Sequence, residues 1–385
     1  MTTPRRPLLA TALTLALAAA ATLGLASAAP AAPAGTATAS APPLPPPVGH
    51  VFVINLENKG FDETWGPDSA APYLSGTLRN QGVLLTQYFG TAHNSLPNYL
   101  AQLTGQGPNP QTQADCQTYS PFVTAGPTVD PGQYVGEGCV LPAQVPSLPD
   151  QLDAAGRSWR GYMEDMETPC RHPQLGAVDN TQKARPGDQY AVRHNPFMYL
   201  RSVTDSPTCG DNVVDLGSLT TDLASSTTTR SLSYITPNLC HDAHDSPCVD
   251  GQPGGLAGAD DFLRTWVPRI TASPAFKKDG ALVITFDESD SPQTDATACC
   301  GEGPGPNSPL PGITGPGGGR VGALVLSRFV TPGSTSTTPY NHYSLLASIE
   351  DLWRLPHLGY AAQPGLPRFG LDVWNGPPVG RPVTR

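Results

Sequence analysis

The chain of 385 residues carries 22 Lys and Arg against 32 Asp and Glu, a formal net charge of −10. That balance excludes non-specific nucleic-acid binding, which needs a basic surface, and there is no basic run or basic amphipathic helix to dock on an anionic membrane. With 44 prolines and 40 glycines, the chain reads as many ordered loops on a compact scaffold of one large or two ordinary domains, not as a helical bundle.

Residues 1–28 read as a secretory signal: Arg5 and Arg6 are the charged n-region, Leu8 to Leu25 is an alanine-rich apolar run, and Ala26-Ser27-Ala28 is a small-residue cleavage site. The run is only weakly hydrophobic and no second one follows, so the expectation is cleavage after Ala28, a secreted protein and no stable membrane anchor. Losing the signal removes two positive charges and no acid, which takes the net charge from −10 to −12. Residues 29–47, rich in Ala, Pro, Thr and Ser, read as an extended or disordered linker. The globular part begins near Val48, and no strong boundary divides 48–385.

Eight cysteines behind an export signal point to disulfides. Closeness along the chain favours Cys116–Cys139 and Cys240–Cys248. Cys299 and Cys300 are adjacent, which argues for separate partners or free thiols.

In chain order, His50–Leu56 (HVFVINL) is a short buried strand that ends in Glu57-Asn58. Residues 82–88 form a second strand that feeds the loop before Ser95. Ser95 stands as a natural N-cap, Pro97 suits a first helical turn, and Leu96, Leu100 and Leu103 share an apolar face. Residues 106–146 form a loop-rich insertion. Ser147 caps a helix that runs to Gly156, and 159–163 is a strand ending in Glu164-Asp165. His194 lies in a loop, RHNPF. A strand at 231–235 leads into TPNLCHDAHD, and an amphipathic helix spans 260–270. Residues 281–286 (ALVITF) form a buried strand ending in Asp287-Glu288. A Gly/Pro loop covers 289–319, a strand 321–326, and His342 precedes a helix over 344–352. Strands alternating with helices specify an α/β layered domain with a largely parallel sheet.

Three strands thus lead to acids: Glu57, Asp287-Glu288 and, through a short loop, Asp242. His244 and His342 accompany them. A parallel sheet brings successive strand ends to one edge, and carboxylates with imidazoles suit zinc, manganese, iron or magnesium. Cations there would activate the Ser95 hydroxyl and stabilise a leaving oxygen, above a helix N-terminus that favours phosphate. A serine-hydrolase triad is the competing reading. It needs a G-x-S-x-G elbow, and Ser95 has neither glycine.

HVFVINLENKGFDETWG, HNSLPNYLAQLTG, ITPNLCHDAHD, VITFDESD and YNHYSLLASIEDLWRLPHLG resemble the phosphoesterase family of acid phosphatases and non-specific phospholipases C, within the alkaline phosphatase superfamily. The resemblance runs from about 48 to 360. It implies an alkaline-phosphatase-like α/β/α sandwich with a mostly parallel central sheet, and it makes 48–385 a phosphoesterase catalytic domain. It further implies a metal-dependent hydrolase of phosphoester substrates that forms a phosphoserine at Ser95. A phosphomonoesterase is the first expectation and a phospholipase C-type diesterase the second. A secreted binding protein that keeps the fold without the chemistry is the third. On this resemblance Glu57, Asp242, His244, Asp287, Glu288 and His342 hold one or two divalent ions (Zn, Mg, Mn, Fe or Ca). Asn58 and Asn98 contact phosphate, and His194 is a proton donor on the substrate side. The PNLCHDAHD segment also aligns with Asn238 as ligand, in place of Asp242 or together with it, and His241 competes with His244.

Overall fold

A computed structural model of the chain describes residues 45–377. The signal (1–28) and all but the last three residues of the linker (29–47) lie outside the described residues.

Eight strands build the main sheet: β1 (His50–Leu56), β2 (Val83–Leu85), β3 (Trp159–Met163), β4 (Val213–Asp215), β5 (Leu232–Thr236), β6 (Gly280–Phe286), β7 (Ala323–Ser327) and β8 (Thr335–Ser336). Their order is β8-β2-β7-β6-β1-β5-β3-β4. The run from β6 through β1, β5 and β3 to β4 is parallel, while β7 is antiparallel to both of its neighbours. β1 lies between β6 and β5 and is buried along its whole length, as an apolar β-branched strand between two helical layers must be.

Alternation along β1 sends successive side chains to opposite faces, and their partners define the layers. Asn55 accepts a hydrogen bond from Gln102 of helix α1 (Ser95–Thr104) at 3.1 Å. Phe52, of the other parity, meets Phe276 with ring centroids 6.3 Å apart. Helix α5 (His342–Trp353) packs beside α1. On the Phe52 side lie α3 (Gly255–Ala272) and α4 (Pro274–Asp279), which carries Phe276. The result is the α/β/α sandwich with a mostly parallel sheet that the sequence implies. A short helix, α2 (Leu148–Ala154), starts at a capping box in which the Ser147 N–H donates to Asp150 at 3.0 Å.

The strands and helices read from the sequence are found to within a few residues, with the following differences. Asn94, not Ser95, is the N-cap of α1, and Ser95 is its first helical residue. The cap comes from a distance: Asp115 accepts the Leu96 N–H at 3.0 Å, so no local capping side chain is required. Cys299 pairs with Cys300. The other six cysteines are matched among themselves, as Cys116–Cys139, Cys170–Cys209 and Cys240–Cys248, which leaves these two only each other. Strands β4 and β8 and helix α4 were not foreseen, because runs of two to six residues carry no readable period. No helix among the described residues is long and apolar enough to cross a membrane.

One buried acid of α5 lies away from the strand-end acids. Glu350 accepts the Leu358 N–H at 3.1 Å, while its Oε2 is buried without a partner. Burial pushes this carboxyl from 4.5 up to about 9. The unfolded chain ionises it near 4.5 and the folded chain does not, so its contribution to stability is complete below that pH and is lost as pH rises toward 9. Glu350→Gln should therefore match the parent near pH 4 and exceed it near pH 8 by more than about 1.4 kcal/mol, one pKa unit's worth. Urea unfolding at both pH values measures this, and an equal difference at the two would refute it.

Candidate active site

The parallel strands β1, β5 and β6 end on one edge of the sheet, and the chain leaving each carries an acid. Backbone bonds tie the exits together: Glu57 N–H donates to the Asp242 carbonyl at 2.7 Å, and Asp287 N–H donates to that of Leu56 at 2.9 Å. Glu57, Asp242 and Asp287 are each fully buried. Burial drives the Glu57 carboxyl well above the carboxylate range, and the Asp287 and Asp242 charges add to it. Burial likewise lifts Asp242 to about 7 and Asp287 to about 6, the latter opposed by the Asn58 N–H, which donates to Asp287 at 2.9 Å.

Helix α1 delivers the serine. Every residue of α1 is buried, and it closes at Gly105 in the left-handed conformation (φ 65°), where a Cβ would strike the Leu358 carbonyl. Ser95 Oγ donates to Glu57 Oε2 at 2.8 Å. One turn further on, the Tyr99 hydroxyl donates to Glu57 Oε1. Both carboxylate oxygens of Glu57 are thereby fixed by one helix.

His194 enters from a pair of 3-10 turns, Val192–His194 and Pro196–Tyr199. Its ring stacks on Tyr99 with centroids 5.5 Å apart. Nε2 lies 3.4 Å from Glu57 Oε2 and Nδ1 lies 3.2 Å from Asp242 Oδ2, neither with hydrogen-bond geometry. Both nitrogens, together with Asp242 Oδ2 and Asp287 Oδ2, are buried without a hydrogen-bond partner. Burial holds this imidazole well below its ordinary pKa, so it is neutral. Ligand atoms of Glu57, His194 and Asp242 fall within 4.8 Å of one another. Orphaned, buried, anionic and imidazole donors in one place fit a divalent cation.

The remaining expected residues stand around this group. His244 is exposed, with its Nδ1 2.8 Å from Asp245 and its backbone N–H on Asp242 at 2.8 Å. Glu288 pairs with buried His93. His342 has both nitrogens engaged: Nε2 meets the Asp287 carbonyl at 2.6 Å, and Nδ1 meets the Tyr88 hydroxyl at 3.1 Å. Asn58 stands at φ 50°, a left-handed position that asparagine tolerates. Asn98 accepts the N–H groups of Thr91 and Ala92 at 2.8 and 3.0 Å and donates to the Ala92 and Asn94 carbonyls at 2.8 and 2.9 Å. Its amide pins the loop before Ser95. The competitors Asn238 and His241 belong to a neighbouring cluster on Glu164 and Asp165.

Sequence reasoning missed Tyr99, His93, Arg193 and Asp115. Tyr99 carries a signal in hindsight, since it lies at i+4 from Ser95 and shares its face. Asp115 and Arg193 line an open cavity of about 700 Å³ together with Lys183 and His244.

The Phosphoesterase family profile matches residues 67–356, well over half of the chain, and the chain belongs to this family. A phosphate-repressible acid phosphatase of Penicillium chrysogenum is 28% identical over 304 residues, which are 79% of this chain and 58% of that protein. A phosphatidylinositol-3-phosphatase of Mycobacterium tuberculosis is 25% identical over 330 residues, 86% of this chain and 84% of that one. The chain spans only 55–59% of the length of the four fungal acid phosphatases it matches. A solved structure of an alkaline phosphatase superfamily protein from Vibrio parahaemolyticus superposes with a TM-score of 0.47 at 11% identity, covering 81% of this chain and 67% of that chain. So loose a superposition carries no functional argument.

Asn98→Ala should lose several hydrogen bonds inside a buried loop and destabilise the protein by about 3 kcal/mol. Urea unfolding measures it, and a loss under about 1 kcal/mol, the net worth of one ordinary bond, would show that the amide does not hold the loop.

Proposed function

We propose that this protein is a secreted, metal-dependent phosphoric ester hydrolase, a phosphomonoesterase of the acid-phosphatase type that works through a phosphoserine at Ser95. The observation that carries the reading is the bond from Ser95 Oγ to Glu57 Oε2, 2.8 Å, inside the buried carboxylate–imidazole group. Two relatives named as phosphatases favour monoesters; no observation favours the diesterase. A binding protein without chemistry would have no use for a serine aimed in this way.

Glu57, His194, Asp242 and Asp287 would hold the cation. When bound, it supplies Lewis acidity that lowers the pKa of a hydroxyl and stabilises charge developing on phosphoryl oxygens. The protein's own groups do the rest. Glu57 accepts the Ser95 proton, and Tyr99 fixes Glu57 so that the hydroxyl points one way. The serine oxygen then attacks phosphorus, the ester oxygen departs, and water later removes the phosphoryl group.

The two histidines take the reverse of the roles expected from sequence. His194, sealed among carboxylates, belongs with the cation. His244 faces the open cavity and is the proton donor for the leaving oxygen. Asp245 raises its pKa from 6.5, which keeps it protonated over more of the acid range. Glu288 with His93, and His342 beneath the Asp287 carbonyl, hold the group in place. Asn58 contributes through its N–H, and Asn98 positions the serine loop without touching phosphate.

Ser95→Ala should keep its fold and its divalent ion and lose at least about a thousandfold in rate, because no other group forms the covalent intermediate. Acid quench of the parent with substrate should yield a phosphorylated peptide spanning Thr91–Gln102. A near-parental rate with the metal still bound would instead make water the nucleophile.

A further inference from the structure

Two of the groups expected to receive the phosphoryl oxygens are already occupied. The N-terminus of α1 is closed by Asp115 on the Leu96 N–H at 3.0 Å, and the Asn98 amide is fully bonded to its own loop. Besides the proposed cation, a dianionic phosphoryl group gains from a further source of positive charge.

Arg193 is the candidate for that source. It immediately precedes His194, and it is only 4% exposed. Half-buried Arg160 makes a close ion pair, with Asp222 at 2.6 Å. Arg193 has no partner so close. Its nearest carboxylate, Asp115, is 3.8 Å from Nε, and its one hydrogen bond runs from Nη1 to the Gln182 carbonyl at 3.0 Å. It lines the cavity of about 700 Å³ beside His244. A buried guanidinium whose ion pair with Asp115 is long and not hydrogen-bonded, and which lines a cavity, is suited to receive an anion.

We propose that Arg193 binds the non-bridging oxygens of the phosphoryl group and selects phosphomonoesters over diesters. A monoester brings two negative charges and three non-bridging oxygens; a diester brings one charge and two oxygens. An arginine fork gains more from the first. The cavity beyond it, bordered by Lys183, Asp245 and Val249, receives the alcohol part of the ester.

The inference rests on the hydrolase reading and is tested separately from it. The holoenzyme, Arg193→Gln and Arg193→Lys are compared on p-nitrophenyl phosphate and bis(p-nitrophenyl) phosphate. Orthophosphate affinity is measured by calorimetry and divalent content by elemental analysis. With metal content unchanged, Arg193→Gln should lower monoester kcat/KM by about 100-fold and orthophosphate affinity by at least about tenfold, the scale of a lost charge-assisted bond. The diester should change by less than about threefold. Arg193→Lys keeps the charge without the fork, and should lower the monoester about tenfold with the diester unchanged; it decides the matter if the Gln variant does not fold. Equal losses on both esters with orthophosphate affinity intact would make Arg193 a mere support for His194 and overturn the inference. A parent that binds orthophosphate through Arg193 but hydrolyses neither ester would sustain the inference and sink the hydrolase reading. A parent that does not bind orthophosphate would overturn both.

Discussion

Three carboxylates with no solvent contact share one edge of the sheet, and like charges buried together repel strongly. Glu57, Asp242 and Asp287 cannot all ionise in that place without compensation. The scaffold nevertheless forces them together, because β1, β5 and β6 run parallel and their exits are stitched by backbone bonds. Partial compensation is visible around them. The N–H groups of Asn58 and His244 point at Asp287 and Asp242, the Tyr99 hydroxyl at Glu57, and the Arg193 charge stands nearby. The unpartnered oxygens and the two bare nitrogens of His194 are what remain for a cation to satisfy.

The same constraint separates the histidines. A ring walled in by Tyr99 and two carboxylates, as His194 is, stays neutral and offers lone pairs. A ring at the surface next to Asp245, as His244 is, favours the protonated form. In the proposed mechanism, depth, more than distance from the acids along the chain, assigns one to the cation and the other to proton transfer. The proposed role of Arg193 follows the same logic: Asp115 already accepts the Leu96 N–H of α1, while its ion pair with Arg193 is a long one of 3.8 Å.

Much of this was legible in the residues. Runs such as HVFVINL and ALVITF are β-branched, apolar and stop at acids, so both the strands and the candidate carboxylates could be read directly. Cys116–Cys139 and Cys240–Cys248 are local and followed from spacing. What could not be read depends on where loops travel. The cap of α1 comes from Asp115, twenty residues beyond Ser95 and inside a disulfide-bearing insertion. The proposed exchange of roles between His194 and His244 depends on the path of the 3-10 turns after Ala191. The saturation of Asn98, and of both nitrogens of His342, arises from contacts that no motif displays. Cys299–Cys300 was misjudged because the partners of the other cysteines were unknown.

If the buried acids are a cation site, metal and protons compete for them. Burial leaves the empty site partly protonated near neutral pH, with Asp242 at about 7 and Asp287 at about 6. The most direct measurement is calorimetric titration of the metal-stripped protein with a divalent ion near pH 6, repeated in buffers of different ionisation enthalpy. Saturable binding of one or two ions that displaces protons, with less displacement at pH 8, is the predicted result. Absence of saturable binding, or binding that displaces no proton at either pH, would contradict it.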